Sequence, residues 1–346
     1  MTKKHLVFRC NTGLHVGMGH LFRCANLATA FDNYSVHFLI QTDVKTQSTK
    51  VLQSFQKDWS LHFLAPDMSA EADAKMLADF VTEHNAFLVL DHYNVDEAYQ
   101  KYLYDKGVKW LQFDSAAKQK LYADIILHAS SGATADLYAP LLLRKNTQVL
   151  LGLKYVIMNK NFQAASEKTK IRTTLQSIFI GFGAGNDKGL LWNCLQSIDK
   201  KLLSFTFITI ALGENTLYKD EIMMFSKQYP LIKILENEYN LAPFFLKSDL
   251  LITAPGTMSY EGAALGLPML LVCTNGNQQI NLKAWQDMQV AFDITGNGGV
   301  DSEKINTYIH QFINEKGLLK KMSEKCLMTI DNQGVYRIKN TIESLI

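Results

Sequence analysis

Short apolar runs of strand length alternate along the chain with longer segments of helical periodicity. Residues 6–8, 36–40, 86–90, 108–113 and 124–127 are rich in Val, Ile, Leu and Phe. Strands with no polar face predict a sheet covered on both sides. Between them, 21–31, 70–83 and 96–106 have helix length, the last opened by Asn94-Val95-Asp96 as a cap. This is βαβ alternation, the signature of a parallel sheet with helices on its faces. At Gln176 the pattern restarts, with strands predicted at 178–182, 205–211, 231–235, 250–253 and 269–273 and helices near 188–198, 219–228 and 258–265.

The stretch 159–174 loses the apolar pattern and carries three lysines and an arginine, so the domain linker is placed there. The expected organisation is an N-terminal Rossmann-like domain over 1–160 and a C-terminal nucleotide-binding one over 161–346. The tail 301–346 is helical in pattern; it either completes the second domain or returns to brace the first. Doubly wound domains bind ligands outside the carboxyl ends of their strands, and for two facing domains this predicts a central cleft.

Composition narrows the class. The 346 residues suit two domains more readily than one, and 47% apolar with 20% charged residues is globular composition. A net charge of +2 is too mild for a nucleic-acid footprint, so no nucleic-acid partner is expected. The longest apolar runs, 205–212 and 268–273, fall far short of the ~20 residues of a membrane span, and no stable membrane insertion is expected. Arg9 interrupts the first apolar run, so no signal-peptide core is read and the expected compartment is the cytoplasm. Cys10, Cys24, Cys194, Cys273 and Cys326 are dispersed without metal or disulfide spacing and read as core fillers.

Candidate chemistry sits after the strands. The first is followed by a loop holding Gly17 and Gly19, then His20 and a helix containing Arg23. Glycines let backbone approach a ligand, and a helix N-terminus offers unpaired N–H groups to an anion. The same positive end disfavours an imidazolium and keeps His20 available as a base. Asp91, His92 and Tyr93 follow an apolar run, as do Asp114 and Ser115, which can orient a neighbour or touch a ligand. In the second half, Gly181-Phe182-Gly183-Ala184-Gly185-Asn186-Asp187 is a phosphate-cradling sequence without the lysine of a Walker loop. Gly256 and Thr257 open a helix suited to a diphosphate, Glu261 lies one turn in, within reach of ribose hydroxyls, and the amides of Asn277 and Gln278 suit hydroxyl and acetamido groups.

Taken together, G-M-G-H before L-F-R-C at 21–24, L-D-H-Y at 90–93, F-D-S at 113–115, L-L-G-L-K-Y at 150–155, F-G-A-G-N-D at 182–187, P-G-T-M-S-Y-E-G-A-A-L-G-L-P at 255–268 and C-T-N-G-N-Q at 273–278 resemble one family. It is that of the UDP-2,4-diacetamido-2,4,6-trideoxy-β-L-altropyranose hydrolases of pseudaminic acid biosynthesis, within the glycosyltransferase-B superfamily. The resemblance implies an α/β fold of two Rossmann-like domains facing a cleft and a small-molecule UDP-sugar substrate. It implies no metal and no cofactor, and a monomer or homodimer. His20 takes the place of the family's catalytic histidine and Tyr93 that of a tyrosine beside the sugar, while Glu261 falls where the family contacts the nucleotide and Asn277 and Gln278 on its amide pair near the substrate. From their own positions in the chain, Asp91 is read as catalytic with them, and Gly17, Gly19, Arg23, His92, Gly183, Gly256 and Thr257 as substrate-binding. The chain departs from the family at Asn11 and at Asp114-Ser115, which remove negative charge. A glycosyltransferase on the same fold and a silent nucleotide-sugar binder are the alternatives.

Overall fold

The computed structural model of the protein describes residues 3–13, 16–183, 187–213, 216–273 and 276–346, apart from the side chains of Gln47 and Asn277. The chain forms two compact units, Met1–Ile157 with Gln333–Ile346, and Met158–Asn332.

The first unit is built on seven parallel strands: β1 (His5–Asn11), β2 (Ser35–Gln41), β3 (Ser60–Leu64), β4 (Ala86–Asp91), β5 (Trp110–Phe113), β6 (Ile125–His128) and β7 (Gln148–Leu151). Their order is β3-β2-β1-β4-β5-β6-β7. Alternation sends Leu6 and Phe8 to one face of β1 and Val7 to the other. On the first face they pack with Leu21, Cys24 and Leu27 of the helix Gly19–Ala28. On the second, Val7 packs with Leu77 and Val81 of the helix Ala70–Glu83. The second unit carries six parallel strands: β8 (Ser177–Ile180), β9 (Phe207–Leu212), β10 (Ile232–Glu236), β11 (Leu250–Thr253), β12 (Met269–Leu271) and β13 (Ala291–Asp293), in the order β10-β9-β8-β11-β12-β13. Each unit is therefore a Rossmann-like α/β domain.

Both sheets reverse their winding beside the first strand. The switch point lies between β1 and β4 in one unit and between β8 and β11 in the other. There the loops leaving neighbouring strands diverge to opposite faces and leave room for a ligand.

Two sequence expectations are corrected. The polar stretch 159–174 is no linker: Asn159 caps the helix Lys160–Ser166, Phe162 packs edge-on against Phe245, and Arg172 is fully buried. Its guanidinium donates to the carbonyls of Ser248, Phe245 and Lys170, partners invisible to a pattern search. The range 161–346 also does not hold as one domain. The helices Ser302–Asn314 and Leu318–Leu327 stay with the second unit, whereas Val335, Ile338 and Ile342 of the helix Gly334–Glu343 enter the core of the first. Ile338 and Ile342 are fully buried, and at roughly 1.5–3 kcal/mol each they account for the return of the tail.

Candidate active site

At the first switch point, β1 runs out through Asn11 and Thr12 into the glycine turn. Gly17 has φ +75°, a left-handed conformation that a side chain would strain. The Gly17 N–H donates to the Gly13 carbonyl at 2.8 Å, and Thr12 Oγ1 donates to the Gly17 carbonyl at 2.9 Å. The helix begins at Gly19 with no side-chain cap among the described residues, which leaves first-turn N–H groups for a ligand. Its second residue is His20.

Asp91, the last residue of β4, organises the site. His20 Nδ1 lies 2.7 Å from Asp91 Oδ1, and Arg23 grips the carboxylate bidentately through Nε and Nη2. Cys24 Sγ is 3.6 Å from Asp91 Oδ2. Burial alone raises the Asp91 carboxyl, but the charge and hydrogen bonds of Arg23, then of His20, carry it well below the usual carboxylate range. Asp91 is thus a fixed anion. The short contact to an anion requires the proton on His20 Nδ1, so a neutral His20 holds a bare Nε2. Tyr93, 68% exposed, stands edge-on to the His20 ring at 4.6 Å and 86°. The Arg23 guanidinium covers the Phe113 ring at 4.6 Å.

His92 does not join this group. It points to the opposite face, where the Asn94 N–H donates to its Nδ1 at 3.3 Å and Nε2 faces Asp73 Oδ2 at 3.5 Å. Burial, helped by the charge of Arg9, lowers its pKa well below that of a free histidine. Asp73 accepts from Arg9 at 2.8 Å and from the Tyr99 hydroxyl at 3.3 Å. A charged residue inside the strand L-V-F-R-C demands a buried partner, and that signal in Arg9 was available to find Asp73.

At the second switch point, Gly181 donates its N–H to the Ile252 carbonyl at 3.1 Å, and its Cα lies against Met258, whose Cε is 3.1 Å from where a Cβ would stand. The loop holding Gly183 therefore adjoins the helix Thr257–Ala264 opened by Gly256, which has no side-chain cap. Gly262 lets this helix press onto β11, because a Cβ there would meet Leu251 at 2.4 Å. Ser259 Oγ donates to the Gly256 carbonyl and accepts from Trp285 Nε1 at 3.0 Å, fixing the turn. Glu261 is partly buried with no hydrogen-bond or ionic partner among the described residues, and burial pushes its carboxyl up to about 8. Asn281 Nδ2 donates to the Pro255 carbonyl at 3.2 Å, a tie the sequence reading missed. Gln278 stands at the residue before the helix Gln279–Asp287, without a side-chain capping bond to it. Ala184, Gly185, Asn186 and the Asn277 side chain lie outside the described residues.

Two Rossmann-like domains, each with a glycine loop at its switch point, define a protein of the glycosyltransferase-B fold type. Spore coat polysaccharide biosynthesis protein SpsG of Bacillus subtilis is 21% identical over 361 residues, covering 99% of this chain and 98% of that protein. An uncharacterised protein of Methanocaldococcus jannaschii is 24% identical over 273 residues, 77% of this chain, which spans only 55% of that protein. Among solved structures, Acinetobacter baumannii MurG superposes with TM-score 0.66 at 14% identity, covering 99% of each chain. Phytolacca americana UGT2, complexed with UDP-2fluoro-glucose and pterostilbene, gives 0.70 at 12% identity over 99% of this chain and 100% of its own. A putative UDP-N-acetylglucosamine 2-epimerase from Listeria monocytogenes gives 0.67 at 12% identity, with 99% and 96% coverage. No family model matches the chain.

Proposed function

We propose that the protein is a UDP-sugar hydrolase of polysaccharide biosynthesis that releases UDP and the free sugar by attack of water at the anomeric carbon. The observation that carries this reading is the His20–Asp91 pair, with an imidazole oriented by a carboxylate that Arg23 keeps ionised. His20 Nε2 takes the proton of the attacking water, and Asp91 stabilises the imidazolium that results. The water oxygen bonds to the anomeric carbon as the bond to the diphosphate breaks, with inversion of configuration. UDP is a good leaving group, so its departure needs donors for the developing charge more than a strong acid. Backbone N–H groups at the start of the helix Thr257–Ala264 serve that purpose, with Gly183, Gly256 and Thr257 assigned to the nucleotide and Glu261 to its ribose. The name of SpsG supports a role in polysaccharide biosynthesis, and the UDP-sugar ligands and substrates named for structural neighbours support the substrate class. The motif resemblance supports a 2,4-diacetamido-2,4,6-trideoxy sugar of nonulosonic, pseudaminic-type, acid synthesis.

A second reading is a glycosyltransferase, favoured by the likeness to MurG and UGT2, in which His20 deprotonates a sugar hydroxyl in place of water. Incubation of the purified protein with UDP-linked acetamido sugars and no acceptor separates the two. Stoichiometric UDP and free sugar establish the hydrolase; UDP release that appears only with a hydroxyl acceptor establishes the transferase.

A further inference from the structure

His128 ends β6, two strands across the sheet from Asp91. Its side chain terminates a buried polar chain. The Tyr138 hydroxyl donates to Asp114 Oδ2 at 2.6 Å and lies 2.7 Å from His128 Nδ1. Asp114 is itself held by the Ala117 N–H at 2.8 Å. A phenol that gives its only proton to a carboxylate has lone pairs alone to offer, so His128 Nδ1 must be the donor in the second contact. His128 Nε2 is then bare. Burial lowers the His128 pKa against the pull of Asp114, with Arg23 adding to the decrease, so the ring stays neutral at pH 7. Nε2 makes no hydrogen bond among the described residues, and unlike His92 Nε2 it is not sealed from solvent.

Packing alone does not call for this arrangement. The buried Tyr138 hydroxyl and the half-buried Asp114 hold one buried imidazole in one tautomer, where Phe and Leu would fill the space without desolvating polar groups. The position is also shared with the His20 site: Arg23, which grips Asp91, covers the ring of Phe113, the neighbour of Asp114, and its charge reaches His128. We propose that His128 is a specificity-determining residue whose Nε2 accepts a hydrogen bond from a neutral donor, a hydroxyl or amide N–H, on the sugar that His20 acts upon. This rests on the UDP-sugar reading above. A sugar presenting no donor at that position is discriminated against, because its binding displaces water from the Nε2 acceptor and returns no partner.

The test combines nitrogen NMR of the histidine rings with kinetics. In the free protein His128 is expected as the Nδ1–H tautomer; an Nε2–H tautomer overturns the proposal whatever the enzyme does. On addition of UDP-N-acetylglucosamine the bare Nε2 resonance moves, while UDP alone leaves it in place. His128→Phe raises KM for the UDP-sugar about tenfold, the loss of one neutral hydrogen bond, with inhibition by UDP unchanged. His128→Gln, whose carbonyl can stand where Nε2 stood, recovers most of that loss. If His20 responds to the UDP-sugar and His128 does not, the proposal fails and the functional reading survives; if neither responds, both fall.

Discussion

His20 and Asp91 are 71 residues apart in sequence and 2.7 Å apart in the fold, because β1 and β4 are neighbours across the first switch point. One imidazole nitrogen is thereby committed to a carboxylate and the other left to solvent and substrate. The substitution His20→Asn isolates the second nitrogen, since the Asn amide can still donate to Asp91. It is expected to lower kcat for UDP-sugar cleavage by about 10²–10⁴, with UDP affinity by calorimetry unchanged. His92→Asn is expected to cost far less in kcat, because His92 faces Asp73 on the other side of the sheet. Near-normal turnover by His20→Asn removes it as the base.

Arg9 and Asp73 test the support beneath the site. Arg9 is fully buried and Asp73 nearly so, with their ion pair at 2.8 Å. Asp73→Ala strands a guanidinium in the core and is expected to cost about 3–5 kcal/mol of stability by denaturant unfolding. The pair Arg9→Met with Asp73→Leu removes both charges and is expected to recover most of it. A single-variant loss below about 1 kcal/mol would show that water reaches the pair.

The fold was legible wherever strands are buried on both faces. The predicted strands at 6–8, 36–40 and 86–90 are β1, β2 and β4, all interior strands of the first sheet. The strands missed from the two parallel sheets, β3, β7 and β13, are all sheet edges, where short segments such as Ser60–Leu64 mix polar and apolar residues and periodicity fades. The site divides in the same way. Local signals mark His20, Asp91 and Gly256, which lie at strand ends or helix starts. The partnerships Arg23–Asp91, Arg9–Asp73 and Tyr138–His128 are set by register between elements and leave no spacing to read. The polar stretch 159–174 misled because Arg172 meets its needs through carbonyl oxygens, which no side-chain pattern encodes.

Cleavage of UDP-sugar is expected to persist in EDTA. The proposed phosphate donors are backbone N–H groups at the helix start Thr257, which hold an anion without a bridging cation. Loss of activity on chelation, restored by Mg²⁺ or Mn²⁺, would assign the diphosphate to a cation and favour the transferase reading.

Glu261 supplies a pH dependence of defined sign. Burial raises its carboxyl to about 8 in the folded chain, so between its unfolded value and about 8 the folded state holds the extra proton. Stability contributed by this group therefore falls as pH rises through that window. Glu261→Gln keeps the shape without the titration, and its Tm is expected to match the wild type near pH 5 and exceed it at pH 8. Nucleotide binding should act in the opposite direction. Ribose hydroxyls donating to the carboxylate favour its charged form, so UDP binding at pH 7 is expected to release a proton, measurable by calorimetry in buffers of different ionisation enthalpy. Glu261→Gln abolishes that release and weakens UDP binding by about 1.5–3 kcal/mol, the range for a hydrogen bond to a charged group. Equal proton release by wild type and variant would take Glu261 out of the nucleotide site, while the Tm comparison would still report its burial.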